Sequence, residues 1–495
     1  MHPTFWHGKR VLITGHTGFK GSWLSLWLQS VGAEVVGYAL APPTDPNMFT
    51  LASVADGMTS ILGDVLDADR LQQTIAELKP EIVFHMAAQA LVRESYKAPV
   101  TTYATNVMGT VNLLESVRLA GNVRAVVCIN SDKCYENQEW VEGYRENEAM
   151  GGYDPYSTSK RCAETVAAAY RKSFFNPNLH AEHGTAIATA RTGNVIGGGD
   201  WAKERLVPDI LRSLVKNETI ALRNPQSIRP WQHVLEPLSG YLTLAECLCE
   251  DGPSWSEDWN FGPLPSGMKS ASWMADQLVW LWGGNISWKQ DEAYQPYEDR
   301  NLVLDCAKSI HRLKWEPVLD LTTALRWTVQ WMKLLQSGDD MHRASEYQIG
   351  RFMELAQNAG TTNSLTNWWL RAQDTPQPIN HLAEQALMLD LMNDTVMSRR
   401  TDGLISFWNL SAEKMYGWSK DEAIGQVSHK LLRTRFPQPL EMIERDMTRH
   451  GQWRGKLVHE RRDGTQIEVE SRWVLLCRDE PSPVKTVIEI NIPWA

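Results

Sequence analysis

Three features are scarce in this 495-residue sequence, and each scarcity excludes a class of protein. Cysteine occurs only seven times, without a CxxC pair, which disfavours a zinc knuckle or a disulfide scaffold and suits reduced thiols. Positive charge is outnumbered, with 49 Lys and Arg against 59 Asp and Glu, which opposes non-specific binding to nucleic acid or to an anionic membrane. No apolar run reaches transmembrane length, and no signal peptide precedes the first predicted strand. We therefore expect a soluble, cytoplasmic protein that binds neither nucleic acid nor membrane and holds no metal.

The stretch of residues 11–21, VLITGHTGFKG, has the pattern of a nucleotide-binding turn. An apolar strand pattern at 11–13 is followed by three glycines and then by a helical pattern at 22–28. Such a strand, turn and helix binds a dinucleotide, because glycines admit the pyrophosphate and the helix N-terminus offers free N–H groups. A tight turn packed on a helix would need the same glycines. The candidate cofactor contacts of the turn are Gly15, Thr17, Gly18, Phe19 and Gly21.

Strand and helix patterns alternate along the first 130 residues. After the glycine turn, strands are predicted at 34–38, 59–62, 81–85 and 123–130, with helices at 67–78 and 100–119 between them. This order predicts an α/β domain with a Rossmann-type, doubly wound parallel sheet. The small side chains of Ala87 and Ala88 at the end of the fourth strand leave room for a cofactor. No acidic residue directly follows the second strand, so this site does not decide between NAD and NADP.

A tyrosine and a lysine lie four residues apart, at Tyr156 and Lys160, and therefore share one face of a predicted helix. A tyrosine hydroxyl is a poor base at neutral pH, and an adjacent ammonium together with an oxidised nicotinamide would lower its pKa. The GxxGxxG spacing of the turn and this YxxxK pair resemble the extended short-chain dehydrogenase/reductase superfamily. That resemblance implies NAD as the cofactor.

A narrower resemblance covers residues 11–357. The phrases TGHTGFKGSWL, AAQALVRESY, SDKCYENQEW, YSTSK and ARTGNVIGGGDWAKERLVPDILR are similar to those of the CDP-glucose 4,6-dehydratase family. The resemblance implies a lyase that converts CDP-glucose into CDP-4-keto-6-deoxyglucose, in deoxysugar biosynthesis for lipopolysaccharide O-antigen, as a homo-oligomer (dimer or tetramer). Two alternatives stay open: another epimerase, decarboxylase or dehydratase of the superfamily, and a non-catalytic sensor of sugar nucleotides. The pair Asp132–Lys133 argues against both, and the intact Tyr156 and Lys160 argue against the sensor only, because the related enzymes also use a tyrosine and a lysine.

The same resemblance implies a role for each candidate site residue. Tyr156 would take the proton of the hexose 4-hydroxyl, which Ser131 would hold, although threonine is commoner at that position. Lys133 would remove the proton at carbon 5, and Asp132 would protonate the departing 6-hydroxyl. Lys160 would hold the nicotinamide ribose, and Asp64 with Val65 would contact the adenine. The implied substrate-binding residues are Gln89, Asn194, Arg205, Arg229, Trp231 and His233, of which His233 fits a structural histidine equally well.

The character of the sequence changes after the dehydratase-like part. We expect that part to span 1–357, with a substrate lobe from about 191, and a polar linker with a helix to occupy 358–386. Residues 387–495 alternate strands and short helices, and the phrases RTDGLISFWNLSAEKMYGWSKDEAIGQ and WRGKLVHERRDGTQIEVE resemble a PAS sensor domain with an antiparallel sheet. Its ligand is unknown. Cys477 lies outside any flavin-adduct motif, a lone His429 is more often structural than a haem ligand, and dimerisation or partner docking is the default role.

Overall fold

The computed structural model describes residues 2–140, 142–263, 267–283, 286–291, 302–360, 395–450, 452–476 and 486–493. The chain divides into two compact units, Met1–Ser364 and Leu365–Ala495. The predicted linker helix at 381–391 and the predicted strand position of Cys477 lie outside the described residues. Each unit is described by itself below.

The first unit alternates strands and helices. Its strands are β1 (Arg10–Thr14), β2 (Glu34–Ala39), β3 (Thr59–Leu62), β4 (Ile82–His85), β5 (Ala125–Ser131), β6 (Ala186–Thr192), β7 (Asn194–Ile196), β8 (Ile220–Leu222), β9 (Ile228–His233), β10 (Asp258–Phe261), β11 (Met268–Ser270) and β12 (Trp288–Gln290). Its α-helices are α1 (Pro3–Trp6), α2 (Phe19–Ser30), α3 (Met48–Leu51), α4 (Ala68–Leu78), α5 (Val92–Lys97), α6 (Pro99–Tyr103), α7 (Gly109–Ala120), α8 (Pro155–Ser173), α9 (His180–His183), α10 (Leu206–Lys216), α11 (Leu235–Glu250), α12 (Gly252–Trp255), α13 (Ala271–Trp282), α14 (Ala307–Leu313), α15 (Leu321–Ser337) and α16 (Met341–Gly360).

A seven-stranded parallel sheet forms the centre of the first unit, in the order β10-β6-β5-β4-β1-β2-β3. The chain runs outward from β1 through β2 to β3 and then returns to β4 on the other side of β1. Strand order therefore reverses between β1 and β4, where sheets of this kind open a crevice at the carboxyl ends of the strands. The predicted Rossmann-type sheet is confirmed.

Alternate residues of the central strands pack into two separate hydrophobic cores, one on each face of the sheet. Val11 and Ile13 of β1 pack into the core that also buries Trp23 and Trp27 of α2. Leu12, between them, packs into the core on the opposite face, with residues of α4 and α7. Because both faces are covered by helices, the strands are apolar at nearly every position, which explains why the sequence located them well.

Two small sheets and several helices build the substrate lobe. β9 pairs antiparallel with β11 and parallel with β7, and β12 pairs with β8. Buried side chains from α10, α13 and α15 form its apolar core together with Trp231 of β9. β7 pairs with β9 through the partners Asn194↔Trp231 and Ile196↔His233. Because β7 follows β6 in the chain, this pairing connects the lobe to the central sheet.

The second unit is an antiparallel sheet with short helices. Its strands are β13 (Thr395–Arg400), β14 (Ile405–Trp408), β15 (Gln452–Glu460), β16 (Gln466–Leu476) and β17 (Thr486–Pro493), in the order β14-β13-β17-β16-β15. Its helices are α17 (Leu410–Tyr416), α18 (Lys420–Ala423), α19 (Ser428–Leu431) and α20 (Leu440–His450). The predicted α+β architecture is confirmed.

The described residues include neither a membrane-spanning helix nor a cluster of metal-ligating side chains. None of the helices they form is long and apolar enough to cross a membrane. No group of three or more His, Cys, Asp or Glu side chains among them is arranged to hold a metal ion.

Candidate active site

The glycine turn between β1 and α2 leaves space that no other residue type would leave. Gly15 has a φ of +79°, and a Cβ there would lie 2.8 Å from the backbone nitrogen of Ala87. A Cβ on Gly21 would lie 2.2 Å from the carbonyl oxygen of Gly15. Gly18 caps α2 without a side chain, so the first N–H groups of the helix face the turn. The turn is thus a bare-backbone cradle of the kind that admits a pyrophosphate.

Side chains of the turn connect it to the neighbouring strands. Thr17 Oγ1 donates to the carbonyl of Leu40, 2.8 Å away at the end of β2. His16 is fully buried and lies 2.7 Å from Ser60 Oγ of β3 through its Nε2. Phe19 begins α2 and lies beneath Gly197, where a Cβ would come within 3.2 Å of its ring. These contacts connect the cradle to β2, to β3 and to the residue that follows β7.

Three of the four residues predicted at the ends of β3 and β4 have defined backbone contacts. Asp64 is half-buried, and its Oδ1 accepts from the N–H of Leu66 at 3.0 Å. Val65 is buried, and its carbonyl accepts from Asn112 Nδ2 at 2.9 Å. Ala87 donates its N–H to Thr14 Oγ1 at 3.2 Å, and Ala88 lines a cavity just beyond it. All four lie at the carboxyl edge of the sheet, where the crevice opens.

Gln89 forms hydrogen bonds within its own turn and with the helical segment that follows. Its Oε1 accepts from the N–H of Leu91, and its Nε2 donates to Thr102 Oγ1 of α6 at 2.9 Å. Its backbone N–H donates to Asn106 Oδ1 at 2.8 Å. These contacts are all within the protein, and substrate binding by the Gln89 side chain stays a prediction.

A cavity of about 270 Å³, including its open mouth, lies beside Lys160. It is bounded by His85, Ala88, Asn106 and Asn130, among others. Asn130 Oδ1 is buried without a hydrogen-bond partner among the described residues, while its Nδ2 donates to the carbonyl of Lys160. A buried amide oxygen of this kind calls for an N–H donor from a ligand. The carboxamide of a nicotinamide supplies such a donor, so the cavity and the glycine cradle together fit NAD.

Ser131, Asp132 and Lys133 follow β5 directly. Ser131 is the last residue of the strand, and Asp132–Cys134 form a short 3₁₀ turn. Ser131 Oγ donates to Asp132 Oδ1 at 2.9 Å and accepts from the N–H of Lys133 at 3.3 Å. Asp132 is 4% exposed and Lys133 is half-buried. Both side chains thus start from the carboxyl end of β5, at the same edge of the sheet as the glycine turn.

Helix α8 supplies Tyr156 and Lys160. Asp154 caps the helix by accepting from the N–H of Ser157 at 2.9 Å, and Pro155 occupies the first turn. Tyr156 and Lys160 are 8% and 7% exposed, and Ser131 lies close enough to the hydroxyl of Tyr156 to lower its pKa. The structure therefore brings Tyr156 beside the hydrogen-bonded pair Ser131–Asp132, with Lys160 one helical turn away.

The protein alone does not make Tyr156 a good base. Burial raises the pKa of Tyr156 to about 12, and the neighbouring Ser131 opposes that rise. Burial also lowers the pKa of Lys160 to about 8, against the opposing charge of Glu164. The predicted lowering of the tyrosine pKa requires the ammonium together with an oxidised nicotinamide, and in the protein alone desolvation disfavours the phenolate.

Two ionisable residues of the site escaped the sequence analysis. His85, at the end of β4, lies 2.8 Å from Thr14 Oγ1 and 3.1 Å from Thr110 Oγ1, and burial with Lys160 nearby lowers its pKa to about 3. Lys20 lies in the first turn of α2, and burial, with the charges of Arg205 and Lys160, lowers its pKa to about 7. For Lys20, the signal available in the sequence was its position between the last two glycines of the glycine turn.

The predicted substrate residues fall into two groups. Asn194 is half-buried on β7, Arg205 precedes α10 with its Nη1 3.2 Å from Asp200 Oδ2, and Arg229 donates to the carbonyl of Ile228. These three keep polar groups at the lobe surface or crevice. Trp231 and His233 are core residues instead.

The indole of Trp231 donates to the carbonyl of Lys269 at 3.0 Å. His233 is fully buried between Trp23 and Trp327, with ring centroids 6.2 and 5.6 Å away. Burial lowers the pKa of His233 to about 3. These surroundings are those of a structural histidine, the alternative that the sequence left open.

Comparisons with known proteins agree with this geometry. Residues 12–249 match the family model described as GDP-mannose 4,6 dehydratase, and residues 383–481 match the PAS fold. The chain is 57% identical to a CDP-glucose 4,6-dehydratase of Salmonella typhimurium over 353 residues, covering 71% of this chain and 98% of that protein. It is 31% identical to a UDP-glucose 4-epimerase of Mycolicibacterium smegmatis, covering 42% of this chain and 72% of that one.

A solved structure shares the fold of the first unit. The crystal structure of a dTDP-glucose 4,6-dehydratase from Bacillus anthracis in complex with NAD superposes with a TM-score of 0.56 at 23% identity, covering 67% of this chain and 98% of that one. The high identity to the Salmonella protein over nearly its whole length decides the family. The chain belongs to the CDP-glucose 4,6-dehydratase family and continues into a C-terminal domain of the PAS fold.

Proposed function

We propose that the first unit catalyses the NAD-dependent 4,6-dehydration of CDP-glucose to CDP-4-keto-6-deoxyglucose. The observation that carries the proposal is the hydrogen-bonded pair Ser131–Asp132 with the buried hydroxyl of Tyr156 beside it, at the carboxyl edge of the sheet that also carries the glycine cradle. A proton-transfer group next to a dinucleotide cradle suits an oxidation followed by an elimination. A pure sugar-nucleotide sensor has no need of it.

Tyr156 removes the proton of the hexose 4-hydroxyl in the first step. Its own pKa of about 12 makes it a weak base, so the reaction depends on added positive charge beside it. NAD held by the glycine cradle would supply that charge and the hydride chemistry at carbons 4 and 6. Ser131, which lies beside Tyr156, orients the sugar hydroxyl.

Elimination of water uses the two residues that follow Ser131. The ketone at carbon 4 acidifies the proton at carbon 5, and Lys133, as a neutral amine, removes that proton and returns it to carbon 5 when hydride reaches carbon 6. Asp132, deeply buried and in its protonated form, gives its proton to the departing 6-hydroxyl, which leaves as water. Both side chains start from one 3₁₀ turn, which keeps acid and base on the same side of the sugar.

The substrate is held from the lobe. Arg205 and Arg229 pair with the diphosphate, since a guanidinium fork meets phosphate oxygens in two places. Asn194 contributes a further polar contact. Recognition of the cytosine base follows from family membership, because no residue of the described lobe identifies the base by spacing alone.

The test compares four sugar nucleotides on the purified full chain. CDP-glucose should give the 4-keto-6-deoxy product, measured by its ultraviolet absorbance in alkali, with a kcat/KM roughly a hundredfold above that for UDP-, dTDP- or GDP-glucose. That factor corresponds to about 2.7 kcal/mol, within the range of about 1–3 kcal/mol that a misfitting group in a binding pocket usually costs. Tyr156→Phe serves as the inactive control. Equal kcat/KM on all four nucleotides would contradict the CDP assignment and leave only a general dehydratase.

A further inference from the structure

Helix α2 carries a single charged residue, Lys20, in its first turn. The residues from Gly21 to Leu28 are all buried, so most of the helix belongs to the core. A cation at this end of a helix is unfavourable, because the unpaired N–H groups there carry partial positive charge. Lys20 is half-buried, which limits the screening of that repulsion by water. Its charge therefore needs a negative partner.

The four charged residues that act most strongly on Lys20 come from separate segments. Asp132 follows β5 and Lys160 lies on α8, and both belong to the candidate catalytic residues. Asp200 and Arg205 lie between β7 and α10, at the substrate lobe. None of these four residues lies at the end of β2 or β3, where the adenine contacts are predicted. The Lys20 side chain therefore enters the crevice between the catalytic residues and the lobe.

The acidic side chains near Lys20 do not pair with it. Asp200 Oδ2 lies 3.2 Å from Arg205 Nη1 and neutralises that cation. In the ranges that the structure describes, no hydrogen bond or ion pair reaches Lys20 Nζ. Three cations thus share this part of the crevice with two acids, and one of those acids is already paired. The excess of positive charge fits an anionic ligand.

Both ligands of the proposed reaction carry a diphosphate, and the surroundings of Lys20 favour the one on the sugar nucleotide. The glycine cradle and the backbone N–H groups at the start of α2 serve the pyrophosphate of NAD. Arg205 belongs to the lobe and is the proposed partner of the substrate diphosphate, whereas Asp132 acts on the hexose. Because both residues act on Lys20, its ammonium lies where the diphosphate meets the hexose.

We propose that Lys20 binds the phosphate next to the hexose in the diphosphate of CDP-glucose. This inference rests on the proposed function and adds a substrate-binding residue to Arg205 and Arg229. The first turn of α2 then serves both ligands, because its backbone N–H groups contact the cofactor and its side chain contacts the substrate.

Binding of the diphosphate by Lys20 should take up a proton above neutral pH. Burial, with the charges of Arg205 and Lys160, lowers the pKa of Lys20 to about 7, against the opposing charges of Asp132 and Asp200. A bound phosphate favours the protonated form and raises that pKa. CDP affinity should therefore fall as the pH rises above 7, by up to about tenfold per pH unit.

Calorimetry on the full chain tests the assignment at pH 7. CDP and CMP are titrated into the chain saturated with NAD, and NAD is titrated separately; CMP lacks the phosphate next to the hexose. Lys20→Met should weaken CDP binding at least tenfold, since a hydrogen bond to a charged group is lost, and should leave CMP and NAD binding within about threefold. Lys172→Met makes the same change at an exposed position near the end of α8 and should leave all three affinities unchanged.

Lys20→Arg keeps the positive charge and has no proton to lose, because a guanidinium stays charged in proteins. Its CDP affinity should lie within about threefold of that of the unmodified chain at pH 7 and should be roughly tenfold higher than that of the unmodified chain at pH 8.5. This comparison decides the matter even if Lys20→Met fails to fold. Equal pH dependence of CDP binding in the two chains would overturn the proposal.

Three results with Lys20→Met would also overturn it: unchanged CDP affinity, equal losses for CMP and CDP, and a loss for NAD in place of CDP. These titrations need no turnover, so they are independent of the dehydration assay. CDP binding that depends on Lys20, without dehydration of CDP-glucose, would contradict the proposed function alone. Dehydration of CDP-glucose, with CDP affinity unaffected by Lys20→Met, would contradict the assignment of Lys20 alone.

Discussion

At the scale of single residues, chemistry that is local in sequence was predicted and chemistry assembled from distant segments was not. Tyr156 and Lys160 share one helix, and Ser131 to Lys133 share one turn, so their spacing alone located them. His85 is recognisable only because Thr14 and Thr110, far away along the chain, bond to its two nitrogens. The same holds for Asn130, whose unpaired oxygen is visible only in the folded crevice.

Lys133 gives the first residue-level prediction. If Lys133 is the base at carbon 5, Lys133→Ala retains oxidation at carbon 4 and loses elimination. Reduced cofactor should then accumulate with CDP-glucose, seen by its absorbance, without 4-keto-6-deoxy product. Lys133→Arg separates a base from a fixed charge, because a guanidinium does not lose its proton in proteins. Product formation by the arginine variant would reduce Lys133 to a cation that binds substrate.

Glu236 of α11 gives a prediction on stability. It is fully buried, and burial raises its pKa to about 8 although the N–H groups of Val318 and Leu319 bond to its oxygens. The folded chain then holds a proton that the unfolded chain releases near its ordinary pKa of 4.5. Its stability contribution is therefore complete below pH 4.5 and is lost as the pH rises to 8.

Glu236→Gln keeps an acceptor and has no proton to lose. Its stability relative to the unmodified chain should increase by up to about 1.4 kcal/mol per pH unit within that window, measured by denaturant unfolding from pH 5 to 8. Glu250→Gln, at an exposed position on the same helix, is the control and should show no such trend. A flat difference would mean that Glu236 is an ordinary carboxylate held by the two N–H groups.

At the scale of elements, the sequence located strands well and helix interiors less well. The predicted helix at 100–119 consists of α6, a π-helical turn at Ala104–Met108 and α7. Within that turn Asn106 donates to Ser159 Oγ of α8 and to the carbonyl of Gln89. Apolar periodicity does not distinguish a π turn from an α turn. Such turns occur frequently at functional sites, and this one lines the cofactor cavity.

The turn between β1 and α2 gives the prediction at this scale. Gly15→Ala should abolish NAD binding and destabilise the first unit, because φ is +79° and the new Cβ would lie 2.8 Å from the backbone of Ala87. Gly121→Ala is the matched control, since φ is +66° at the end of α7 and nothing lies within 4 Å of its Cβ. It should cost about 1–2 kcal/mol and leave NAD affinity unchanged. Equal effects on NAD affinity, measured by calorimetry, would show that the turn does not hold the cofactor.

At the scale of the whole molecule, composition and motif order predicted two folds on one chain. Both were recognisable because each carries its own strand and turn signals, and both are confirmed by the structure and the family matches. The dehydratase-like part was predicted to end at 357. In the structure residues 341–360 form the helix α16, which packs against α15 and α2 and ends three residues after that predicted boundary.

Truncation tests whether the dehydratase depends on the PAS-fold unit. α16 is part of the first unit: Phe352 meets Trp27 edge to face at 5.5 Å, and His342 Nδ1 lies 2.9 Å from the carbonyl oxygen of Ala52. A chain ending after Gly360 therefore keeps every candidate catalytic residue and a closed core, and we expect it to be soluble with kcat and KM for CDP-glucose close to those of the full chain. A chain ending after Asp340 loses α16, exposes Trp27, and should aggregate. If the chain that ends after Gly360 also lost solubility or most of its activity, the PAS-fold unit would be a structural part of the enzyme. If the PAS-fold unit regulates the enzyme, the two chains should differ only when its ligand is added, because coupling requires two states that the ligand distinguishes.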